Sequence, residues 1–342
     1  MESKRHMLEG IALMDQGEWR TALAHFEKAI EIREALPWRN DVESSWLLAA
    51  AWINRSDVLR VLELTEEAIH SLDWAIEAMQ HVPLETNPGY ANRLILAWIN
   101  RATACGEADR MADALAGFSK AENLLGTWSG TPTPARKLIA SMLHANRARV
   151  LLEMGRTVCG WQSARLAVDF LEISNELTDQ TAEAAIKARG ILCRALAMLL
   201  DQPDGVALAQ DWIARATDSA EEALAISRSS GYRGAWIGDL VRYGAKIYRI
   251  CQPHFLAEFV REWTIGDGPL TGDEALKREM AGELLLAQAD LERRVRSAPH
   301  VTEIVTREMK TLSTLQIAQK ELASRSLSHS ESTDLPHFPC GR

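Results

Sequence analysis

The feature that most restricts what this 342-residue chain can fold into is a ruler of fixed length. Ala51-Trp52-Ile53-Asn54-Arg55 returns unchanged as Ala97-Trp98-Ile99-Asn100-Arg101, and its core returns as Ala145-Asn146-Arg147. Asn54 to Asn100 and Asn100 to Asn146 are both steps of 46 residues. A second feature keeps the same step: Ala22-x3-Phe26-x2-Ala29, then Ala68-x3-Leu72-x2-Ala75, then Ala114-x3-Phe118-x2-Ala121. Self-similarity at such a period marks a repeat architecture, in which each unit buries its apolar face by stacking on its neighbours.

Residues 3–36 read as the first repeat. Gly10 and Leu13 lie on one helix, Gly17-Glu18-Trp19 makes a turn, and Ala22, Phe26 and Ala29 stripe a second helix before Pro37. The second repeat spans 42–83, with helices over 46–62 and 66–80 and Pro83 as the break. The third spans about 90–125, with Trp98, Ala102 and Cys105 inward, and a Gly/Thr/Pro loop follows at 126–134. The fourth keeps Ala148, Leu151 and Gly155 on the grid, while its second stripe weakens to Gly160, Ala164 and Ala167.

Beyond residue 180 the register slips. A helix over 184–200 is followed by the stripe Ala216, Ala220 and Ala223, ten residues late for the grid. Tyr232, Trp236, Leu240, Tyr243, Ile247 and Ile250 trace one helical face that ends near Pro253. Gly266 to Asp273 is strong punctuation. Two charged helices follow, over 273–296 and 301–324. Their apolar positions are Leu276, Met280, Leu284, Ala287, Leu291 and Val295 on the first, and Val301, Val305, Met309, Leu312, Leu315 and Leu322 on the second. The pair is predicted to be an antiparallel hairpin capping the array, with an oligomerising coiled coil as the competing reading. The predicted organisation is thus a solenoid over 1–252, a linker over 253–272, the hairpin over 273–325 and a disordered polar tail over 326–342.

A small residue in the first helix followed by the Ala-x3-Phe-x2-Ala stripe in the second resembles the tetratricopeptide repeat, although the unit is longer than the usual ~34 residues. The resemblance implies an all-α solenoid of helix-turn-helix repeats whose first helix, helix A, lines a groove. Long repeats with a groove asparagine, together with Phe26-Glu-Lys-Ala-Ile-Glu-Ile-Arg-Glu34, resemble the kinesin light chain branch, including the bacterial kinesin light chains encoded beside bacterial tubulins. Residues 3–175 carry this resemblance. It implies a non-catalytic adaptor on a tubulin-like filament, linked to membrane only indirectly. A peptide-binding scaffold without a cytoskeletal link and a regulatory module holding a small ligand are the alternatives.

The family pattern also places at the groove an asparagine two residues before the small position. Asn54 precedes Ser56, Asn100 precedes Ala102 and Asn146 precedes Ala148 in this way. An amide both donates and accepts, so a row of amides can hold an extended peptide backbone. The same amides could instead bond between repeats and stiffen the array. Arg55, Arg101 and Arg147 stand where the family usually has leucine, and their guanidinium groups are expected to reach an acidic residue or a helix end along the helix interface. These six residues are the candidate partner-binding groove.

A net charge of −9 and a pI near 5.6, without a basic stripe, argue against nucleic acid as a partner. The sequence has no Gly-rich phosphate loop, His-Glu-x-x-His or serine elbow, so neither an enzyme nor a cofactor or metal is expected. The nine histidines are scattered, and His144, on the grid position of Trp52 and Trp98, reads as a packing residue. Asp267, Asp273 and Glu274 lack the alternating ligands of a calcium loop. Five cysteines form no Cys-x-x-Cys pair, and no stretch reads as a signal or a membrane span, so a reduced cytoplasmic compartment is expected. Six tryptophans (46, 52, 74, 98, 212 and 236) fall on helical faces as space fillers, whereas Trp38 and Trp128 fall in loops as candidate partner contacts.

Overall fold

The 46-residue step is written into the backbone. In the computed structural model, which describes residues 2–127, 133–171, 179–202, 205–230, 236–264, 273–297 and 302–330, helices of two kinds alternate through the first half of the chain. The A helices are α1 (Glu2–Asp15), α3 (Val42–Val61), α5 (Pro88–Glu107) and α7 (Pro134–Glu153). The B helices are α2 (Trp19–Glu34), α4 (Thr65–Met79), α6 (Met111–Gly126) and α8 (Thr157–Leu171). Starts of α3, α5 and α7 are 46 residues apart, and so are the starts of all four B helices.

Each boundary has a local cause. Asp41, Asn87 and Thr133 cap the long A helices, their side-chain oxygens accepting from the N–H groups of Ser44 (3.0 Å), Gly89 (2.8 Å) and Arg136 (3.3 Å). Pro88 and Pro134 occupy the first helical position, where a missing N–H is harmless. The A helices all end alike. Gly17, Glu63, Asp109 and Gly155 take φ values of 78°, 61°, 59° and 71°. The N–H of the next residue, Glu18, Leu64, Arg110 or Arg156, then donates to the carbonyl of Leu13, Leu59, Cys105 or Leu151 at 2.8 to 2.9 Å. This is the left-handed termination that satisfies the last carbonyls of a helix. Glycine adopts it freely, whereas Glu63 and Asp109 do so under strain.

Packing follows the same grid. The small positions Gly10, Ser56, Ala102 and Ala148 are buried, and a Cβ added at Gly10 would lie 2.7 Å from the Phe26 ring. Ala22, Phe26 and Ala29, with their counterparts Ala68, Leu72 and Ala75 and then Ala114, Phe118 and Ala121, have no exposed surface. Each large apolar side chain in that stripe contributes about 1.5–3 kcal/mol of burial. The extra length over a usual repeat is absorbed both in A helices of 20 residues and in connections that carry short 3-10 turns, Trp38–Asn40 and Leu84–Thr86.

The chain divides into two compact units, Met1–Ser174 and Asn175–Arg342. The second contains α9 (Asp179–Leu200), α10 (Gly205–Ser230), α11 (Trp236–Cys251), α12 (Pro253–Thr264), α13 (Glu274–Ser297) and α14 (Thr302–Ser330). Here α9 packs on both α10 and α11, with Ala216, Ala220 and Ala223 of α10 buried. The buried face of α11 is Ile237, Leu240, Val241, Ala245, Ile247 and Tyr248, so Trp236, Tyr243 and Ile250 flank it rather than form it.

Two expectations differ from the structure, the linker and the start of the tail. The stretch 253–272, read as a linker, contains α12, which buries Leu256, Phe259, Val260 and Trp263. α11 ends at Cys251, near Pro253 as expected, and Pro253 then opens α12 at its first helical position. Over 273–325, α13 and α14 pack on each other and on α11 and α12. Leu276, Met280, Leu284, Ala287, Leu291, Leu312, Leu315 and Leu322 are buried, and Met309 is exposed. Ion pairs Arg242–Glu279 (2.6 Å), Arg249–Glu283 (2.6 Å) and Arg261–Glu321 (2.7 Å) join the layers. The polar tail over 326–342 begins as helix, since α14 runs on to Ser330. Residues 331–342, Trp128, Tyr232, Val301 and the loop 265–272, and the side chains of Trp212 and Val305, lie outside the described residues. Among the described residues, no helix is long and apolar enough to cross a membrane.

Candidate functional site

An α-helix turns ~100° per residue, so an asparagine and the arginine after it cannot share one face. The structure separates the two ladders accordingly. Asn100 Nδ2 donates to Asp57 Oδ1 at 3.2 Å, a bond from α5 back to α3. Asn146 is buried at 5% exposure and engaged within the fold. Asn54 is half-buried and makes no hydrogen bond among the described residues.

The polar strip continues along the A helices. Arg60 of α3 donates to both carboxylate oxygens of Glu107 on α5, at 2.8 and 2.6 Å. Arg149 of α7 lies 3.7 Å from the same carboxylate and 3.3 Å from Glu153. Three adjacent A helices are thereby cross-linked by their own charges. Asp57, under this strip, has its carboxyl pushed up to about 6 by burial, against the pull of Arg60.

The arginines point the other way, each to a carboxylate on the preceding B helix. Arg55 reaches Glu27 at 3.1 Å, Arg101 reaches Asp73 at 2.5 Å and Arg147 reaches Glu122 at 2.8 Å. Arg55 also donates to Ser71 Oγ at 2.6 Å. Its guanidinium sits 5.6 Å from the Trp52 ring, and that of Arg101 sits 5.9 Å from Trp98. The three arginines thus pair with carboxylates on B helices, whereas Asn100 bonds to the neighbouring A helix.

Beside Arg55 the structure has a feature that the repeat pattern hides. A cleft of about 420 Å³ opens between α2, α3 and α4. Trp52 and Trp74 stack within it, with ring centroids 6.3 Å apart and planes inclined by 19°. Trp74 is 45% exposed. Glu27, Glu31, Glu34 and Glu67 line the cleft as well, together with Ile30, Arg55, His70 and Ser71. Glu27 is held by Arg55 and Glu31 by Lys28, whereas Glu34 and Glu67 have no ion pair among the described residues. Partial burial holds the Glu34 carboxyl above its ordinary value. Aromatic faces beside carboxylates favour a cation. The grid conceals the site because the position of Trp74 is taken by Lys120 in the next repeat.

The loop tryptophan Trp38 is not a surface contact. It is 6% exposed, meets His81 edge-on at 5.6 Å, and is covered by Arg39 at 4.1 Å. Ser45 Oγ donates to its carbonyl at 2.5 Å, which pins the 3-10 turn onto α3. His144 is buried and stacked on Phe170, with centroids 5.6 Å apart and planes inclined by 4°. Burial holds its imidazole below its ordinary value and therefore neutral. Burial also raises the thiols of Cys105, Cys193 (to about 12) and Cys251 (to about 11), so none of these three is a thiolate nucleophile at neutral pH.

No protein-family model and no curated protein matches this sequence. Solved structures do match. The apo form of RapI is 14% identical over 97% of this chain and 100% of that chain, with a TM-score of 0.50. The apo quorum sensor NprR from B. thuringiensis is 12% identical over 91% of this chain and 75% of that chain, also at 0.50. BtubC (BKLC) from P. vanneervenii is 13% identical over 81% of this chain and 97% of that chain, at 0.45. Likeness at such identity speaks to fold alone, and the fold is the all-α, tetratricopeptide-type repeat solenoid.

Proposed function

We propose that the protein is a non-catalytic interaction scaffold whose partner presents a lysine or arginine side chain from an extended segment. The observation that carries this reading is the cleft of Trp52 and Trp74 edged by Glu34 and Glu67, two carboxylates without ion pairs among the described residues. A partner cation would lie over an indole face and exchange water for carboxylate, an interaction worth about 0.5–2 kcal/mol from the aromatic face alone. The asparagine ladder contributes less to binding in this reading, because Asn100 already bonds Asp57 and Asn146 is buried.

The test is an array of extended peptides that differ only in basic, neutral or acidic side chains. Basic peptides bind, salt weakens them, and Trp74→Ala or the pair Glu34→Gln and Glu67→Gln lowers affinity about 3- to 30-fold. Equal binding of acidic peptides, or binding indifferent to both variants, rejects the cleft. The sequence resemblance to the kinesin light chain branch makes a tubulin-like filament a specific form of partner. Co-sedimentation with such filaments that is lost in Trp74→Ala supports it, and its absence leaves the general peptide scaffold. A rise in melting temperature with a small metabolite, in a protein that binds no peptide, would point to the sensor reading instead. Cys105, Cys159, Cys193 and Cys251 are free thiols, which fits a reducing cytoplasm as the place of action.

A further inference from the structure

Three side chains that belong to neither the cleft nor the ladders converge on the first helix pair. His6 and Glu9 are one turn apart on α1 and share a face, and His25 meets them from α2. His6 Nδ1 lies 3.2 Å from His25 Nδ1. Glu9 Oε2 lies 3.2 Å from His25 Nδ1 and 3.8 Å from His6 Nδ1. The rings are inclined by 50° with centroids 5.2 Å apart, so they approach by their nitrogen edges. The side chains of His6, His25 and Glu9 are 15%, 26% and 44% exposed, which leaves the cluster half-sheltered with one side open to solvent.

Hydrogen bonding serves the two 3.2 Å contacts only through one shared His25 Nδ1–H and leaves the 3.8 Å edge between His6 and Glu9 without a proton. An imidazole Nδ1 either donates or accepts, never both, so any placement of protons leaves one edge with two lone pairs or two hydrogens facing each other. A cation at the centre satisfies all three edges. The point equidistant from the three atoms, the circumcentre of a triangle with these sides, is about 2.0 Å from each, and zinc binds imidazole nitrogen at ~2.0–2.1 Å and carboxylate oxygen at ~2.0–2.2 Å. The other carboxylate oxygen of Glu9 faces Arg5 Nε at 3.8 Å, so Oε2 remains for the centre.

We propose that His6, Glu9 and His25 bind a divalent transition-metal ion of the class that favours two imidazoles and one carboxylate, with Zn²⁺ as its probe, and that the ion clips α1 to α2. The fold supplies a reason for a clip. The residues that α1 buries are Ser3 and Gly10, neither of which brings a large apolar side chain to the core. Its larger apolar side chains, Met7, Leu13 and Met14, are only partly buried against Ala22, Phe26 and Val58, so a metal tie would add to a contact that apolar burial does not complete. Three protein ligands also leave a fourth position for water or for a side chain of a partner.

The experiment uses the full chain, stripped with a chelator and titrated with Zn²⁺ alone and, separately, Co²⁺ alone. One equivalent binds in the micromolar range or tighter, Co²⁺ develops the visible bands of a four- or five-coordinate ion, and Zn²⁺ raises the melting temperature. The double variant His6→Ala and His25→Ala lowers affinity about 100-fold or more, and Glu9→Gln, which keeps size and removes the charge, lowers it about tenfold or more. His70→Ala leaves it unchanged. Should the double variant lose its helical spectrum, Glu9→Gln and the Co²⁺ spectrum of the unmodified chain decide. Millimolar binding without Co²⁺ bands, or Zn²⁺ affinity that Glu9→Gln does not alter, overturns the proposal.

Discussion

At the scale of single residues, Asp57 shows how a polar strip can be satisfied and still carry a penalty. Its carboxyl is pushed from 3.8 to about 6, burial outweighing the attraction of Arg60. An acid whose folded pKa is raised destabilises the fold wherever the unfolded chain would hold it ionised in water, so the penalty is complete above pH 6 and is relieved as pH falls towards 3.8. Asp57→Asn keeps an oxygen to accept from Asn100 Nδ2 and removes the charge. At pH 8 it should raise the melting temperature by about 2–4 °C, with the gain closing as pH approaches 4 in matched melting curves. The amides should also behave unequally. Asn100→Ala leaves Asp57 without its amide donor and should cost about 1–3 kcal/mol, whereas Asn54→Ala should fall within about 0.5 kcal/mol of the native chain in denaturant titrations. Equal effects would mean that the amides act as one row. Three asparagines with one sequence signature thus meet three different surroundings, because a signature records the helix that bears a side chain and not the neighbour it meets.

At the scale of elements, the turn between A and B helices is built four times on one plan, twice with glycine and twice without. Glu63 and Asp109 hold φ near 60° at a cost of about 1 kcal/mol each, somewhat less for Asp109 because aspartate tolerates this region better. Glu63→Gly should stabilise the protein by about 0.5 kcal/mol, the strain relieved exceeding the entropy that glycine adds to the unfolded chain. Unchanged or lowered stability in chemical denaturation would show that the turn is relaxed. The C-terminal elements permit a coarser test. Helix α12 buries Leu256, Phe259, Val260 and Trp263 while packed on α11, α13 and α14. Ending the chain at residue 272 uncovers part of that surface, and the product should aggregate or change mass in analytical ultracentrifugation. A monodisperse product of the expected mass would show that α13 and α14 are dispensable.

At the scale of the whole molecule, four stacked helix pairs with fully buried stripes exceed the three or so repeats that such an array needs to hold a continuous core. A fragment ending at Leu171 should therefore fold without the rest, with a helical spectrum and a cooperative melt. Loss of either would place part of the stability of the first unit in the second.

The period, the helix pairs and the inward stripe could be read before any coordinates, and so could the arginines as residues bound for acidic partners at helix interfaces. All of these depend on spacing along one helix and on its recurrence every 46 residues, and both are properties of linear order. The caps at Asp41, Asn87 and Thr133 stand on the same grid, although the repeat reading did not single them out. The tertiary structure alone decided which polar groups meet. Asn100 finds Asp57 across 43 residues, Arg55 finds Glu27 across 28, and His6 finds His25 across 19. It also turned Trp38 inward, left Trp74 at the mouth of a cleft, and made α12 a buried layer where a linker was expected. A helical stripe states which face is apolar and how wide it is, while hydrogen bonds and ion pairs depend on the axial offset between two helices to within about 1 Å. That offset is set by how ridges of buried side chains interlock, a property of the pair that neither segment carries by itself.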